Sequence, residues 1–122
     1  MIYITYWRKV MEAISTLFKE INDDASAAHL AHLGTRSYEE HVALGAFYEN
    51  VREKMDTLLE AMISLGAPVA APPSDTLSVF EDAYASLKKK RESATDGNPV
   101  LEMHYDEVLN CYLKIIYMLR LK

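Results

Sequence analysis

Four side chains in the first half of the sequence are of the types that bind transition metals. His29 and His41 are 12 residues apart, His41 and Asp56 are 15 apart, and Glu60 follows Asp56 by four. Imidazole and carboxylate groups bind iron, zinc and manganese. All four residues lie in stretches whose apolar pattern predicts α-helix. We therefore predict a metal site that uses these residues as ligands.

The spacing of these residues also predicts that the site needs two chains. If residues 38–65 form one helix, His41 and Asp56 lie about 22 Å apart along its axis. One ion, at about 2.0–2.2 Å from each ligand, cannot contact both. Two copies of the helix, packed antiparallel about a two-fold axis, would place His41 of one chain beside Asp56 and Glu60 of the other. The sequence thus predicts a homodimer formed through the second helix, with two metal sites.

The composition is that of an ordinary soluble protein and argues against several classes. Half of the 122 residues are apolar and 25% are charged, and the net charge is −5. This charge argues against binding to nucleic acid, which requires a concentrated positive surface. No apolar stretch approaches the length that spans a bilayer. The single cysteine, Cys111, excludes an intrachain disulfide and suits a reducing compartment. We expect one domain over residues 1–122, in the cytoplasm and without a membrane partner.

The periodicity of the apolar residues predicts four helices. The first ends near Gly34, and the second covers residues 38–65. A loop at 66–75 precedes a shorter third helix at 76–92, and the fourth helix covers roughly 100–121. Two long and two shorter amphipathic helices favour a four-helix bundle. Both a long crossover between the second and third helices and a simple up-down-up-down connection are compatible with the loop length.

Capping residues and inward-facing residues follow from the same pattern. Ser37 is a candidate N-cap with Glu40 as its capping-box partner, and Asn98 precedes Pro99 at the start of the fourth helix. The side chains expected to face inward are Val10, Ile14, Leu17, Phe18, Ile21, Ala25 and Ala28 in the first helix, Tyr38, His41, Leu44, Tyr48, Val51, Met55, Leu58, Leu59 and Met62 in the second, and Val100, Met103, Val108, Cys111, Tyr112, Ile115 and Leu119 in the fourth.

Residues 29–41, HLAHLGTRSYEEH, resemble the motif region of the ferritin-like DNA-protecting starvation proteins, the Dps family. In that family a glycine follows the first histidine by five residues and a second histidine follows it by 12, as Gly34 and His41 do here. Tyr48, Asp56 and Glu60 match the family's tyrosine, aspartate and glutamate that follow the second histidine. The resemblance covers about residues 10–66. The chain also resembles short phage-encoded proteins through His29, His32, Thr35, Ser37, His41, Ala43, Leu44, Gly45, Phe47 and Tyr48.

The resemblance implies an all-α, ferritin-like four-helix bundle with a ferroxidase centre at a two-fold interface. His29 and His41 would come from one subunit, and Asp56 and Glu60 from its mate. Such a centre oxidises Fe(II) with hydrogen peroxide or dioxygen in defence against oxidative stress, and the subunits of that family form a larger shell. His32, one turn from His29, is a further candidate ligand, although a capping or interfacial role is the favoured alternative.

Two departures from the family pattern favour a second hypothesis. Leu30 stands where the family commonly has tryptophan, and Gly45 stands where it has an acidic residue. These differences favour a non-enzymatic helical interaction protein that retains the fold. A third hypothesis is a structural zinc site with the same four ligands, because zinc binds such groups without turning over an oxidant.

Each candidate ligand also has a purely structural explanation. A histidine on an apolar helix face is commonly a core residue that is hydrogen-bonded to a neighbour, and Asp56 and Glu60 could be solvated charges. Two features outside the motif also have structural explanations. The basic run at residues 88–91 suits the negative end of a helix dipole, and His104 is expected to be structural.

Overall fold

A computed structural model of the protein describes residues 2–67, 69 and 75–121, with side chains from residue 13 onward. It contains four α-helices: α1 (Ile2–Gly34), α2 (Tyr38–Ser64), α3 (Thr76–Thr95) and α4 (Pro99–Arg120). No β-strand occurs within these ranges. The prediction of an all-α chain with four helices is confirmed, and the helices are compatible with a four-helix bundle.

The chain divides into two compact units between residues 70 and 71. In the first unit α1 packs against α2, and in the second α3 packs against α4. We call these units the first hairpin and the second hairpin, because each consists of two antiparallel helices joined by a short turn. The connection between α2 and α3, for which the sequence left two arrangements open, lies mostly outside the described residues. So does the side chain of Val10.

Helix α2 begins at a capped N-terminus. The Ser37 hydroxyl accepts a hydrogen bond from the Glu40 backbone N–H at 3.3 Å, which satisfies one of the free amides of the first turn. The reciprocal half of the capping box passes through Thr35. The Ser37 N–H donates to the Thr35 hydroxyl (3.1 Å), which donates to the Glu40 carboxylate (2.7 Å). The predicted cap is therefore confirmed, with the Thr35 hydroxyl as an added link.

The turn between α3 and α4 is set by residues 96–98. Asp96 and Gly97 have φ values of 48° and 71°, and this left-handed conformation ends α3. Asn98 then caps α4, since its side-chain oxygen accepts from the N–H groups of Val100 (2.9 Å) and Leu101 (3.2 Å). The predicted start of α4 is confirmed, whereas α3 runs three residues beyond the predicted end at 92.

The core of the first hairpin is a narrow stripe between its two helices. Ile14, Met55, Leu59 and Ala67 are buried together, and three half-buried side chains pack against them: Leu17, Ile21 and Met62. The prediction that Phe18, Tyr38 and Leu58 face inward was wrong, because these side chains are 54%, 75% and 46% exposed. A two-helix hairpin buries only the part of each apolar face that contacts the other helix, and positions at the margin of that face stay accessible.

The core of the second hairpin agrees with the prediction only in the second half of α4, where Tyr112, Ile115 and Leu119 are half-buried. Leu109 and Ile116 are the buried side chains of α4, and Thr95 is the buried residue of α3. Val100, Met103, Val108 and Cys111 were predicted to face inward but are exposed. Because apolar residues occur on several sides of α4, the periodicity alone does not identify the face that is buried.

Polar contacts from Arg91 join α3 to α4. Its guanidinium donates to both carboxylate oxygens of Asp106, at 2.7 and 2.9 Å, and to Glu102 at 3.1 Å. Bidentate pairs of this kind fix geometry as well as contributing energy. Near the other end of the hairpin Arg120 pairs with Glu81 at 3.2 Å. The ion pairs therefore hold the register of two helices that bury few side chains.

The Arg91–Asp106 pair should make the stability of the second hairpin depend on pH. The hydrogen bonds from Arg91 hold the pKa of Asp106 below its ordinary value. This stabilisation is complete above the unfolded-state pKa of about 3.9 and is lost as the pH falls through the lowered folded-state value. We expect the Tm, followed by circular dichroism, to decrease more steeply below about pH 4 in the parent protein than in Arg91→Met.

Arg120→Met is the matched control, because it removes the single ion pair to Glu81 and leaves Asp106 paired. Its Tm should keep the steep acid dependence of the parent. Parallel Tm–pH curves for the parent and Arg91→Met would contradict the assignment.

Candidate metal centre

Three imidazole rings and one phenol ring gather near the connected end of the first hairpin. His29 and His32 come from α1, and His41 and Tyr48 come from α2; we call these four side chains the imidazole cluster. The rings of His32 and His41 are stacked with centroids 3.7 Å apart, and those of His29 and Tyr48 are stacked at 4.0 Å. His32 lies 6.3 Å from His29 and 5.4 Å from Tyr48, and so occupies the centre of the cluster.

His32 and His41 are held by a reciprocal pair of hydrogen bonds between the two helices. The Nδ1 atom of His32 lies 2.6 Å from the His41 carbonyl oxygen, and the Nδ1 atom of His41 lies 2.9 Å from the His32 carbonyl oxygen. A carbonyl oxygen only accepts, so each Nδ1 carries the proton and donates. In the neutral rings each Nε2 then keeps its lone pair. This is the tautomer and orientation that a metal-binding histidine adopts, with the other ring nitrogen donating to a carbonyl.

Gly45 provides the space that the His32 ring occupies. A Cβ atom at position 45 would lie 3.0 Å from Cε1 and 3.2 Å from Nδ1 of His32, closer than van der Waals contact. Gly45 is one turn after His41 and about one turn before Tyr48, so the His32 ring lies across α2 between these two side chains. A side chain at residue 45 would therefore force the His32 ring to move by a few tenths of an ångström.

His29 is held by its ring face rather than by its nitrogens. Its imidazole is nearly parallel to the Tyr48 ring, with an interplanar angle of 15°. Among the described residues, neither ring nitrogen of His29 has a hydrogen-bond partner. In the neutral ring one nitrogen carries the proton, and the other is available to a ligand.

Asp56 and Glu60 do not join the imidazole cluster within one chain. Both lie on α2, and Asp56 is about 22 Å along the axis from His41. Their side chains are exposed, and within the described part of the chain neither has a hydrogen bond or an ion pair. At about 100° per residue they lie about 60° and 100° around the helix from His41. In the described ranges no group of three or more His, Cys, Asp or Glu side chains could hold a metal ion.

The other polar residues singled out from the sequence serve mainly local contacts. His104 lies 3.7 Å from Glu107 on the surface of α4, and the exposed Cys111 thiol donates to the Glu107 carbonyl. In the basic run, Arg91 joins α3 to α4 and Lys88 lies 5.9 Å from the centre of the Tyr84 ring. These contacts support the structural interpretation of the run and of His104.

The importance of His32 and Gly45 was underestimated from the sequence. His32 was ranked below His29 and His41, yet it contacts both helices and lies between the other two histidines. For Gly45 we predicted no contact with a histidine and described only its departure from a family pattern. The sequence contains one signal for this contact. Gly45 follows His41 by one turn, on a helix predicted to pack against the helix that carries His32, and a glycine there leaves room for a ring from the other helix.

The fit between His32 and Gly45 can be tested with a double-mutant cycle. Alanine in place of glycine in a helix stabilises by up to about 1 kcal/mol, but here the new Cβ displaces the His32 ring. We expect Gly45→Ala to stabilise the protein in a His32→Ala background and to give less stabilisation, or a loss, in the parent. Free energies of unfolding from urea titrations measure both effects.

Gly34→Ala is the control, because a Cβ at that position has nothing within 4 Å. Its effect should be the same in both backgrounds. An equal effect of Gly45→Ala with and without His32 would show that the two residues are not coupled.

None of the helices in the described part of the chain has both the length and the hydropathy of a membrane-spanning segment. No curated protein and no solved structure matches the sequence. A protein-family profile does match, over residues 32–119, and its description is a family of unknown function (DUF5856). The matched region includes His32, His41, Gly45 and Tyr48 and begins after His29. Since the profile covers most of the 122 residues, the chain belongs to the DUF5856 family of unknown function.

Proposed function

We propose that the first hairpin binds Fe(II) between two copies of the chain and promotes its oxidation. His41 and His29 of one copy and Asp56 and Glu60 of the other are the proposed ligands. The observation that carries the proposal is the orientation of the imidazole rings. His41 is exposed, its Nδ1 donates to the His32 carbonyl oxygen, and its Nε2 lone pair is left for a cation.

The carboxylates support a site shared between two chains. Asp56 and Glu60 are one turn apart, exposed, and without a partner among the described residues. Because they lie on the same rigid helix as His41, a second copy has to supply them to any ion that His41 binds. An antiparallel pair of α2 helices about a two-fold axis meets this requirement twice and gives two equivalent sites.

The proposed ligands suit iron in both oxidation states. Neutral imidazoles bind Fe(II), and two carboxylates add the negative charge that favours Fe(III). Fe(II) and the oxidant are substrates: two Fe(II) ions each give one electron to hydrogen peroxide, which takes up two protons and leaves as two water molecules. The role of the chain is to hold the cation at a position that the oxidant can reach, and to stabilise the product charge with Asp56 and Glu60.

The wider setting of the proposal follows from the sequence. The resemblance to Dps proteins supports a role against oxidative stress and assembly into a dimer or a larger shell. Cys111 suits a reducing, cytoplasmic compartment, in which Fe(II) is the available form of iron. The net charge of −5 does not suit the binding of DNA.

Removal of both carboxylates tests the proposed oxidation. We expect Asp56→Ala/Glu60→Ala to lose rapid Fe(II) oxidation in air and with peroxide, measured by the appearance of ferric absorbance, because the product cation loses its anionic ligands. Glu49→Ala/Glu53→Ala is the matched control, since it removes two exposed carboxylates with the same spacing on the same helix. Light scattering checks that both variants keep the oligomeric state of the parent. Equal, slow oxidation by the parent and the Asp56/Glu60 variant would overturn the ferroxidase proposal.

A mixed dimer tests the shared site. In a dimer of one His41→Ala chain and one Asp56→Ala chain, one site loses both ligands and the other keeps both. We expect this heterodimer, purified with two different affinity tags, to bind half as much Fe(II) as the parent dimer. Each mutant homodimer should bind none at this site. A heterodimer that binds no metal would exclude ligands from two chains.

Exposed apolar side chains support a second candidate function. Leu30 and Leu33 on α1 are 72% and 70% exposed, and Phe47 on α2 is 45% exposed. Such residues suit a non-enzymatic helical protein, such as a phage-encoded accessory factor, that binds another protein through this hairpin. Metal analysis of protein purified from cells separates the candidates: stoichiometric iron supports the first, zinc supports a structural site, and protein without metal supports the interaction role.

A further inference from the structure

We propose that His29 and His32 form a second metal site within a single chain, selective for cations that prefer imidazole nitrogen, with Zn²⁺ as the representative ion. This inference rests on the proposed function and revises its ligand set: His29 moves to the new site, and His41, Asp56 and Glu60 remain at the site shared between chains. It requires neither a second copy nor a carboxylate. The observation behind this proposal is that the imidazoles of His29 and His32 lie one turn apart on α1, and that each has a ring nitrogen without a hydrogen bond among the described residues.

The separation of the two rings agrees with a shared ion. A Zn–N bond of about 2.1 Å puts the ion about 3.2 Å from each ring centre, so two imidazoles on one ion have centroids about 4.5–6.4 Å apart. The His29 and His32 centroids are 6.3 Å apart, and the rings are inclined at 59°. This lies at the wide end of the range. A tetrahedral ion requires centroids about 5.3 Å apart, so the His29 ring would have to move about 1 Å toward His32.

The other close imidazole pair fails the same test. His32 and His41 have centroids only 3.7 Å apart and are inclined by 19°. The lone pair of an imidazole nitrogen lies in the plane of its ring, and the lone pairs of two stacked, nearly parallel rings cannot converge on one ion. His41 therefore cannot share a cation with His32 in this arrangement, and the partner of His32 at a metal is His29.

The surroundings of the two rings favour a cation at this position. The Nδ1 atom of His32 is fixed by the His41 carbonyl oxygen, which leaves Nε2 as its ligand atom. His29 has neither nitrogen engaged among the described residues, so a turn of the ring breaks no hydrogen bond and costs only part of its stacking on Tyr48. Both residues lie near the C-terminus of α1, which ends at Gly34, where the helix dipole favours positive charge.

The ligand chemistry selects the metal. A site with two imidazole ligands and water in the remaining positions binds Zn²⁺, Ni²⁺ and Cu²⁺ more tightly than Fe²⁺ and Mn²⁺. The proposed site thus differs in preference from the site with Asp56 and Glu60, whose oxygen ligands suit iron. One hairpin would carry two positions for two classes of metal.

Zinc titration of a chain that lacks the shared site tests the inference. In the Asp56→Ala/Glu60→Ala protein we expect calorimetry to give one Zn²⁺ per chain. Adding His29→Gln or His32→Gln should weaken this binding by about tenfold or more, whereas His104→Gln, a surface histidine on α4, should leave it unchanged. Unchanged binding after His29→Gln, or no Zn²⁺ binding by the starting variant, would overturn the inference.

A second measurement keeps the test valid if a histidine variant unfolds. In the folded Asp56→Ala/Glu60→Ala protein, the side-chain ¹⁵N resonances of His29 and His32 should shift on addition of Zn²⁺. The resonances of His41 and His104 should stay at their positions. A shift at His41 in place of His29 would contradict the pairing. This test is independent of the test of the ferroxidase proposal. Fe(II) oxidation that depends on Asp56 and Glu60 can be present with or without the zinc site.

Discussion

The reciprocal hydrogen bonds between His32 and His41 are the constraint on which the candidate metal centre depends. Each imidazole crosses from its own helix to a carbonyl oxygen of the other, so the two bonds fix the distance and the register of α1 and α2 where the chain reverses. The same bonds determine the tautomer of both rings. A contact that stabilises the hairpin through Nδ1 therefore also decides that Nε2 is the nitrogen presented to a ligand.

Cross-helix polar contacts matter here because each hairpin buries little. Among the described residues no large side chain is fully buried, and the first hairpin buries six apolar residues, four of which form one cluster. A shallow apolar stripe favours contact between two helices without fixing how far one slides along the other. In the first hairpin the imidazole pair and the Arg52–Ser26 contact at 3.2 Å supply that register. In the second, the bidentate Arg91–Asp106 pair does so.

The sequence predicted what depends on local rules and missed what depends on contacts between helices. The caps at Ser37 and Asn98 were predicted because their partners lie within three residues along the chain. The exposed side chains of Phe18 and Leu58 were not predicted, since periodicity defines an apolar face without showing how much of it a neighbour covers. The central position of His32 was not predicted because its hydrogen bond goes to a main-chain carbonyl oxygen of the other helix, and the only trace of this contact in the sequence is the glycine at residue 45. Asp56 and Glu60 stay predicted ligands.

The proposed iron site requires two chains to associate, whereas the proposed zinc site does not, and helix geometry is the reason for this difference. Because about 22 Å of rigid helix separates His41 from Asp56, Fe(II) at a shared site binds only the dimer, and binding of the ion then favours the dimer by mass action. His29 and His32 are one turn apart on one helix, so at a fixed free Zn²⁺ concentration the occupancy of their site does not depend on the protein concentration. The two positions would then respond differently to dilution, although they share one cluster of rings.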